Sequence, residues 1–217
     1  MRSLVRRSLH AAVALSALLA APSVASAATL YVATNGADGG SCTQAAPCKS
    51  FARAYNVATA GSDVIVAAGS YAQQDLSGLA PKATTELITF KPAAGAAVEL
   101  AYLNINNARN IEVRDMQATW QVRGNAKHIV LRNIKILHDN FGGYLGGADD
   151  VQILGGEIGF IDPNDGLHFN NADGPNSNVL IDGLFMHDLT RNNGPDTHTD
   201  CVQTTSSTCS SRAMASA

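Results

Sequence analysis

The chain has 217 residues, with 15 Lys and Arg against 18 Asp and Glu, a formal charge of −3, and 46% hydrophobic residues. That length suits one domain. A mildly acidic chain with no basic stripe excludes nucleic acid as a partner, because phosphate backbones are held by clustered Lys and Arg; an anionic ligand would need local Arg or Lys, or a bridging cation.

In chain order the first expected element is a secretory signal peptide over residues 1–27. Arg2, Arg6 and Arg7 precede an apolar run from Leu9 to Ala21, and the small-residue site Ala25-Ser26-Ala27 comes next. The run is shorter than the ~20 apolar residues of a spanning helix. No later segment is long and apolar enough to span a bilayer, so the mature chain is expected to be secreted, with no membrane span. Loss of residues 1–27 removes three Arg and no acid, which takes the formal charge from −3 to −6.

Residues 28–61 read as a strand, a disulfide loop and a capping helix. Leu30-Tyr31-Val32 is strand-like. Cys42 and Cys48 enclose a short loop of small and polar residues, and an even cysteine count in an oxidising compartment favours disulfides, so this pair is expected to be bonded. Cys201 with Cys209 is a weaker second pairing. Zinc is disfavoured, because no second close Cys or His pair accompanies the first. After Pro47, the residues Phe51, Ala54, Tyr55 and Ala58 recur at helical spacing until Gly61. This predicts a helix from Phe51 to Ala60 that covers one end of the strand-rich region beyond it.

From residue 62 to 205 the pattern is all strand. Asp63-Val64-Ile65-Val66 and Leu87-Ile88-Thr89-Phe90 open it. Four similar segments then begin their apolar alternation at Ile111, Ile129, Val151 and Val179, each with a second apolar residue two positions on: Val113, Leu131, Ile153 and Ile181. Period-two alternation puts each pair on one strand face. Two residues later stand Asp115, Asn133, Gly155 and Gly183, types that tolerate a left-handed backbone and so mark a bend. An apolar residue stands at or near each bend: Met116, Ile134, Ile158 and Leu184. A third strand precedes each segment: Leu103-Asn104-Ile105, Trp120-Gln121-Val122, Gly143-Tyr144-Leu145 and Leu167-His168-Phe169. Trp120 is expected inside. Such repeats point to a solenoid of short parallel strands. Leucine-rich repeats are the alternative, but their Leu spacing is absent. Residues 206–217 carry no strand pattern and are expected to be a disordered or aberrant tail, as if the chain were truncated or frameshifted.

Tyr31 to Gly36, Cys42, Pro47-Cys48, Ala54 and Asp63 to Tyr71 together resemble the opening of bacterial secreted proteins of the pectate-lyase-like superfamily. The resemblance covers roughly residues 29–205. It implies an all-β fold, a right-handed parallel β-helix with three short strands per coil and a short N-terminal capping α-helix. That fold hosts lyases, hydrolases, epimerases and adhesins, so it does not fix an activity.

The candidate chemistry lies late in the chain. Leu167 and Phe169 should point inward and His168 outward; Val202 should point inward, with Gln203 outward above His168. Asp165 and Asp200 should then stack about 5 Å apart. Stacked carboxylates can bind Ca²⁺ through oxygen, and the expected metal ligands are Asp165, Asp196 and Asp200. Carboxylate–His pairs can work as general acid and base. The expected catalytic residues are His168, Arg191 and His198, with Asp165 and Gln203 holding substrate. A uronate lyase needs a base such as Arg or Lys, and Arg191 and Lys135 are the nearby ones. The plainer alternative is that corner Asp and Asn residues only bond to the turn backbone. That is the expectation for the residues just before Ile111, Val151 and Val179. It is also the expectation for His138-Asp139 and His187-Asp188, which recur at similar places. The functional expectation is a secreted protein that acts on or binds extracellular polysaccharide or an acidic glycan, lyase-like if it is an enzyme. A non-catalytic secreted or surface protein that binds glycans or partners is the alternative class. A basic residue facing Asp165 and Asp200 would separate the two.

Overall fold

A computed structural model describes residues 27–80, 82, 84–190 and 199–205. All but the last residue of the expected signal peptide, the expected 206–217 tail, and Arg191, Asp196, His198 and Cys209 lie outside the described residues.

The described chain is mostly parallel β-strand, as the period-two patterns require. One flat run of seven strands takes the order β1 (Thr29–Val32), β2 (Asp63–Val66), β5 (Ile88–Pro92), β7 (Arg109–Arg114), β9 (Lys127–Arg132), β12 (Asp149–Leu154) and β15 (Ser177–Asp182). A second, ten-stranded sheet is curled and has two limbs. Its strands β6 (Val98–Asn106) and β8 (Gln117–Arg123) are long enough to serve both. The first limb pairs β3 (Gly69–Tyr71), the front halves of β6 and β8, β10 (Lys135–Leu137), β13 (Glu157–Ile161) and β16 (Phe185–Leu189). The second limb pairs β4 (Gln74–Ser77), the rear halves of β6 and β8, β11 (Gly143–Gly146), β14 (Leu167–Asn170) and β17 (Val202–Thr204). Parallel strands packed this way form a β-helix-like arrangement around an apolar interior.

Register obeys the alternation. Ile111 pairs with Ile129, Ile129 with Val151, and Val151 with Val179. The first three are fully buried. Asp115, Asn133, Gly155 and Gly183 all adopt positive φ, between 50° and 68°, and turn the chain from the flat sheet into the first limb. Asn133 donates from Nδ2 to Asp115 Oδ1 at 3.0 Å. A Cβ at position 155 would sit 2.4 Å from Asn133 Oδ1, a contact the amide can relieve by turning away, so it is the φ of 66° that calls for glycine there. The polar residues ahead of the apolar pairs are themselves left-handed: Asn110, His128, Asp150 and Asn178 have φ of 51–58°. Two of them bond to the neighbouring coil rather than to their own turn: Asn110 to the Thr84 carbonyl and Asn178 to the Asp149 carboxylate.

Two details differ from the sequence reading. The helix α1 runs Phe51–Val57 and stops at Ala58, whose ψ of 147° is extended, before Gly61 is reached. Ser50 caps it by accepting the Arg53 N–H. Ile158 pairs with Ile136 and Met186, not with Ile134 and Leu184. Gly156 occupies the place of Ile134, where a Cβ would strike the Ile134 carbonyl oxygen at 2.4 Å. Trp120 is inside as expected, and the strand above makes room for it: Gly143 lies against the indole, where a Cβ would be 2.3 Å from the ring.

The outer edge of β1 is not bare. Tyr31 N–H donates to the Cys42 carbonyl, and Tyr31 O accepts from Cys48 N–H. Cys42 and Cys48 are bonded to each other and fully buried. The helix packs against β1 and β4, with Phe51 stacked on Phe90 at 4.7 Å. Cys201 is free and exposed.

Candidate functional site: the outward ladder of the second limb

Alternation on the second limb sends Leu76, Ile105, Val122, Leu145 and Phe169 inward. The neighbouring outward positions are Asp75, Asn104, Gln121, Tyr144, His168 and Gln203, each in register with the next. Parallel strands are about 4.8 Å apart, so these side chains form a continuous outward row. Adjacent members are tied together. Asn104 Nδ2 donates to Asp75 Oδ1 at 2.8 Å and to Ser77 Oγ at 3.0 Å, and Gln121 Nε2 donates to Asn104 Oδ1 at 2.7 Å. The Tyr144 ring meets His168 edge-on at 5.7 Å.

A charged pair flanks the row. Arg123 donates to Asp173 Oδ1 at 2.9 Å. Gly146 lies in register with Arg123, and a Cβ there would come within 2.9 Å of the Tyr144 ring and 3.0 Å of the Asp173 carboxylate. The missing side chain therefore lets Tyr144 and Asp173 close on one another. Burial pushes the Tyr144 hydroxyl above its usual range, the Asp173 charge adds to this, and Arg123 opposes it. One oxygen of Asp173 and Nε2 of His168 are buried without a hydrogen-bond partner. An unpaired buried polar group is costly, so each marks a place where a water or a polar group of a ligand would be stabilising.

The residues expected from sequence divide into three groups. His168 and Gln203 face outward in register, as the alternation requires. Asp165 and Asp200 are brought together just ahead of β14 and β17, but through the backbone: Asp165 Oδ1 accepts the Asp200 N–H at 2.9 Å, and the Asp200 carbonyl accepts from Gly166 at 2.9 Å. Asp165 thus ties its coil to the next one through a backbone N–H. Among the described residues no cluster of three His, Cys, Asp or Glu is placed to hold a metal ion. Arg191, Asp196 and His198 lie outside the described residues. Lys135 stands on the first limb, bonded to Glu157 at 2.7 Å.

Sequence reading misses Asn104, Gln121, Tyr144, Arg123 and Asp173. The first three are legible, since each is the middle residue of a recognised third-strand triplet. Arg123 and Asp173 are fifty residues apart in sequence, and no local signal joins them. A shallow cleft of about 610 Å³ runs along the Asp115–Asn133 corner, lined by Ser70, Glu99, Gln117 and Lys135 among others; it includes none of the ladder side chains. The cleft walls are mostly apolar, and Asp115, Asn133 and Lys135 on them are already tied to Arg114, Asp115 and Glu157. Comparison of the chain with protein-family models, with curated proteins and with solved structures returned no match.

Proposed function

We propose that this chain is a secreted right-handed parallel β-helix, three strands per coil, that binds extracellular polysaccharide along the outward ladder of its second limb. The observation that supports this reading is the unbroken row from Asp75 to Gln203. Amide, carboxylate, phenol and imidazole groups repeat at strand spacing, as a ligand that itself repeats along its length requires. Polysaccharide hydroxyls are both donors and acceptors, and so are Asn104, Gln121, Tyr144 and His168. Arg123 brings a cation to this face, but Asp173 already pairs with it at 2.9 Å, so an acidic glycan would have to share or displace that pair. The test is retardation of the protein in native gels containing polygalacturonate, alginate or a neutral glucan. Gln121→Ala and His168→Ala should each weaken retardation severalfold while leaving the melting temperature unchanged. Retardation that survives both substitutions refutes the ladder.

A second reading, lyase action on a uronate, is favoured by one observation: Tyr144, His168 and Arg123 lie together, offering proton-transfer groups beside a cation. Near-ultraviolet absorbance from unsaturated products should then develop with polygalacturonate or alginate and vanish in His168→Ala. Calcium belongs to this reading as a bridge. Asp165 and Asp200, with Asp196, offer carboxylate oxygens, but Ca²⁺ takes six to eight oxygen ligands, so the glycan would have to complete the shell. Calcium should therefore raise the melting temperature more in the presence of polyuronate than alone, and Asp200→Ala should remove the difference.

A further inference from the structure

The outward face of the first limb carries four rings in a row. His138 stacks on Phe160 at 4.5 Å with planes only 5° apart. Phe160 meets His187 edge-on at 5.1 Å, and His187 stacks on Phe185 at 4.8 Å. Phe160 and Phe185 are 44% and 62% exposed, the largest exposures among the aromatic side chains of the described residues. Isolated exposed apolar residues need no explanation, but this strip is built in three independent ways.

Phe160 has a φ of 57°, a conformation that a bulky residue adopts only at a cost of about 1–3 kcal/mol. The same left-handed position recurs at His138 and Asp188 in the adjoining coils, and at Phe160 it turns the ring to the surface between strand neighbours. Gly159 clears the space for the next ring, since a Cβ there would lie 2.4 Å from His187 Nε2. Carboxylates then fix the imidazole from both sides: Nδ1 bonds Asp188 at 2.7 Å and Nε2 bonds Glu157 at 3.2 Å. The rings are therefore held in place rather than left over from packing.

We infer that the first limb carries a second glycan-contact surface, on which Phe160 and Phe185 stack against the C–H face of a neutral pyranose while Glu157 and Asp188 accept its hydroxyls. Aromatic faces bury apolar area without needing hydrogen bonds, and the flanking carboxylates suit the hydroxyl rim of a sugar. The local charges select against an acidic sugar. Lys135 and His187 are already paired with Glu157 and Asp188, so neither is left to hold a uronate's own carboxylate, whereas a neutral sugar needs no such partner. The ligand class rests on the proposed polysaccharide function, whereas the site is separate from the ladder.

The test runs the full chain through native gels cast with a neutral glucan, mannan or xylan, and in parallel with polygalacturonate. Phe160→Ala and Phe185→Ala are compared with Gln121→Ala, each checked for an unchanged melting temperature. Phe185→Ala alters only an outward position and keeps the test usable if Phe160→Ala fails to fold. The inference expects at least a tenfold weaker dissociation constant for a neutral polysaccharide in both Phe variants and little change with polygalacturonate. Loss of binding only in Gln121→Ala would leave the ladder standing and overturn the strip. Absence of any neutral-glycan retardation would overturn it too. If sedimentation showed a dimer that Phe185→Ala dissolves, with glycan binding untouched, the strip would be a contact between copies and the inference would fall.

Discussion

The two ends of the flat sheet contain the same alternation and have opposite fates. Val64, Phe90, Val113, Leu131, Ile153 and Ile181 occupy one row of register. The first five are 0–3% exposed. Ile181 is only partly buried, and its outward neighbour Leu180 is 44% exposed. At the β1 end, the Cys42–Cys48 loop bonds to the free edge and the helix packs alongside. At the β15 end, no further strand pairs among the described residues. Burial in this arrangement therefore comes less from a strand's own pattern than from having a neighbour on each side, the nearest-neighbour logic of stacked repeats.

The sharpest way to break that comparison is one substitution made twice. Ile129→Asp buries an unpaired charge between two neighbours and should cost at least about 4 kcal/mol, enough to unfold the chain. Val179→Asp, in the same row at the far end, should cost less than half as much. Equal losses in chemical denaturation would show that the β15 end is as enclosed as the middle. A smaller effect sharpens the other end. Cys42→Ser opens a loop of sequence separation 6, and closing so short a loop is worth about 2 kcal/mol. Its loss should make amides of β1 exchange faster while those of β9 are little changed. Smaller still is Arg132→Ala on the outer face, which removes the 2.8 Å pair with Glu112. The pair is part-buried, with Glu112 12% exposed, so its loss should cost about 1 kcal/mol, at the upper end for surface pairs, and the midpoint should move only slightly.

The smallest effect concerns pH. The hydrogen bond to Asp188, and then the one to Glu157, hold the His187 imidazolium above its usual range; Lys135 faces the same Glu157. A raised folded-state value means that His187 stabilises the fold fully below its unfolded pKa, about 6.5. The contribution is lost as pH rises through the raised value. Histidine NMR titration should give a midpoint above that of a free imidazole, and Glu157→Gln should lower it. A midpoint at or below the free value would mean that the two carboxylates do not hold the ring.

Much of the fold is readable because two chemical signals coincide. Alternating Ile and Val residues define the faces, and Asp115, Asn133, Gly155 and Gly183 mark the backbone positions where the chain bends. The aromatic strip is not readable, for a specific reason. Apolar spacing alone matches Ile158 to Ile134 and Leu184, and that match hides the alignment that pairs Leu137 with Gly159 and Gly159 with His187. With the Gly155-Gly156 pair absorbing the shift, His138, Phe160 and Asp188 share one left-handed position, φ 47–57°. The His-Asp pairs at 138 and 187 are therefore one residue out of step rather than equivalent. The same limit applies to Asp165: its alignment with Asp200 is legible, but its bond to a backbone N–H is not.

The spacing between strands has a consequence for how such a chain can change. From β7 onward each passage from the flat sheet to the first limb takes two residues: 115–116, 133–134, 155–156 and 183–184; the earlier passage from β5 to β6 takes five, 93–97. The passage from first to second limb takes none within β8, then spans 138–142, 162–166 and 190–201. From β7 onward one corner is locked in length by left-handed backbone and close carbonyl contacts, while another is open. Insertions and deletions should therefore be tolerated at the second corner and rejected at the first. Added chain there would emerge between the ladder and the aromatic strip, so new recognition loops can be acquired without re-registering a single strand.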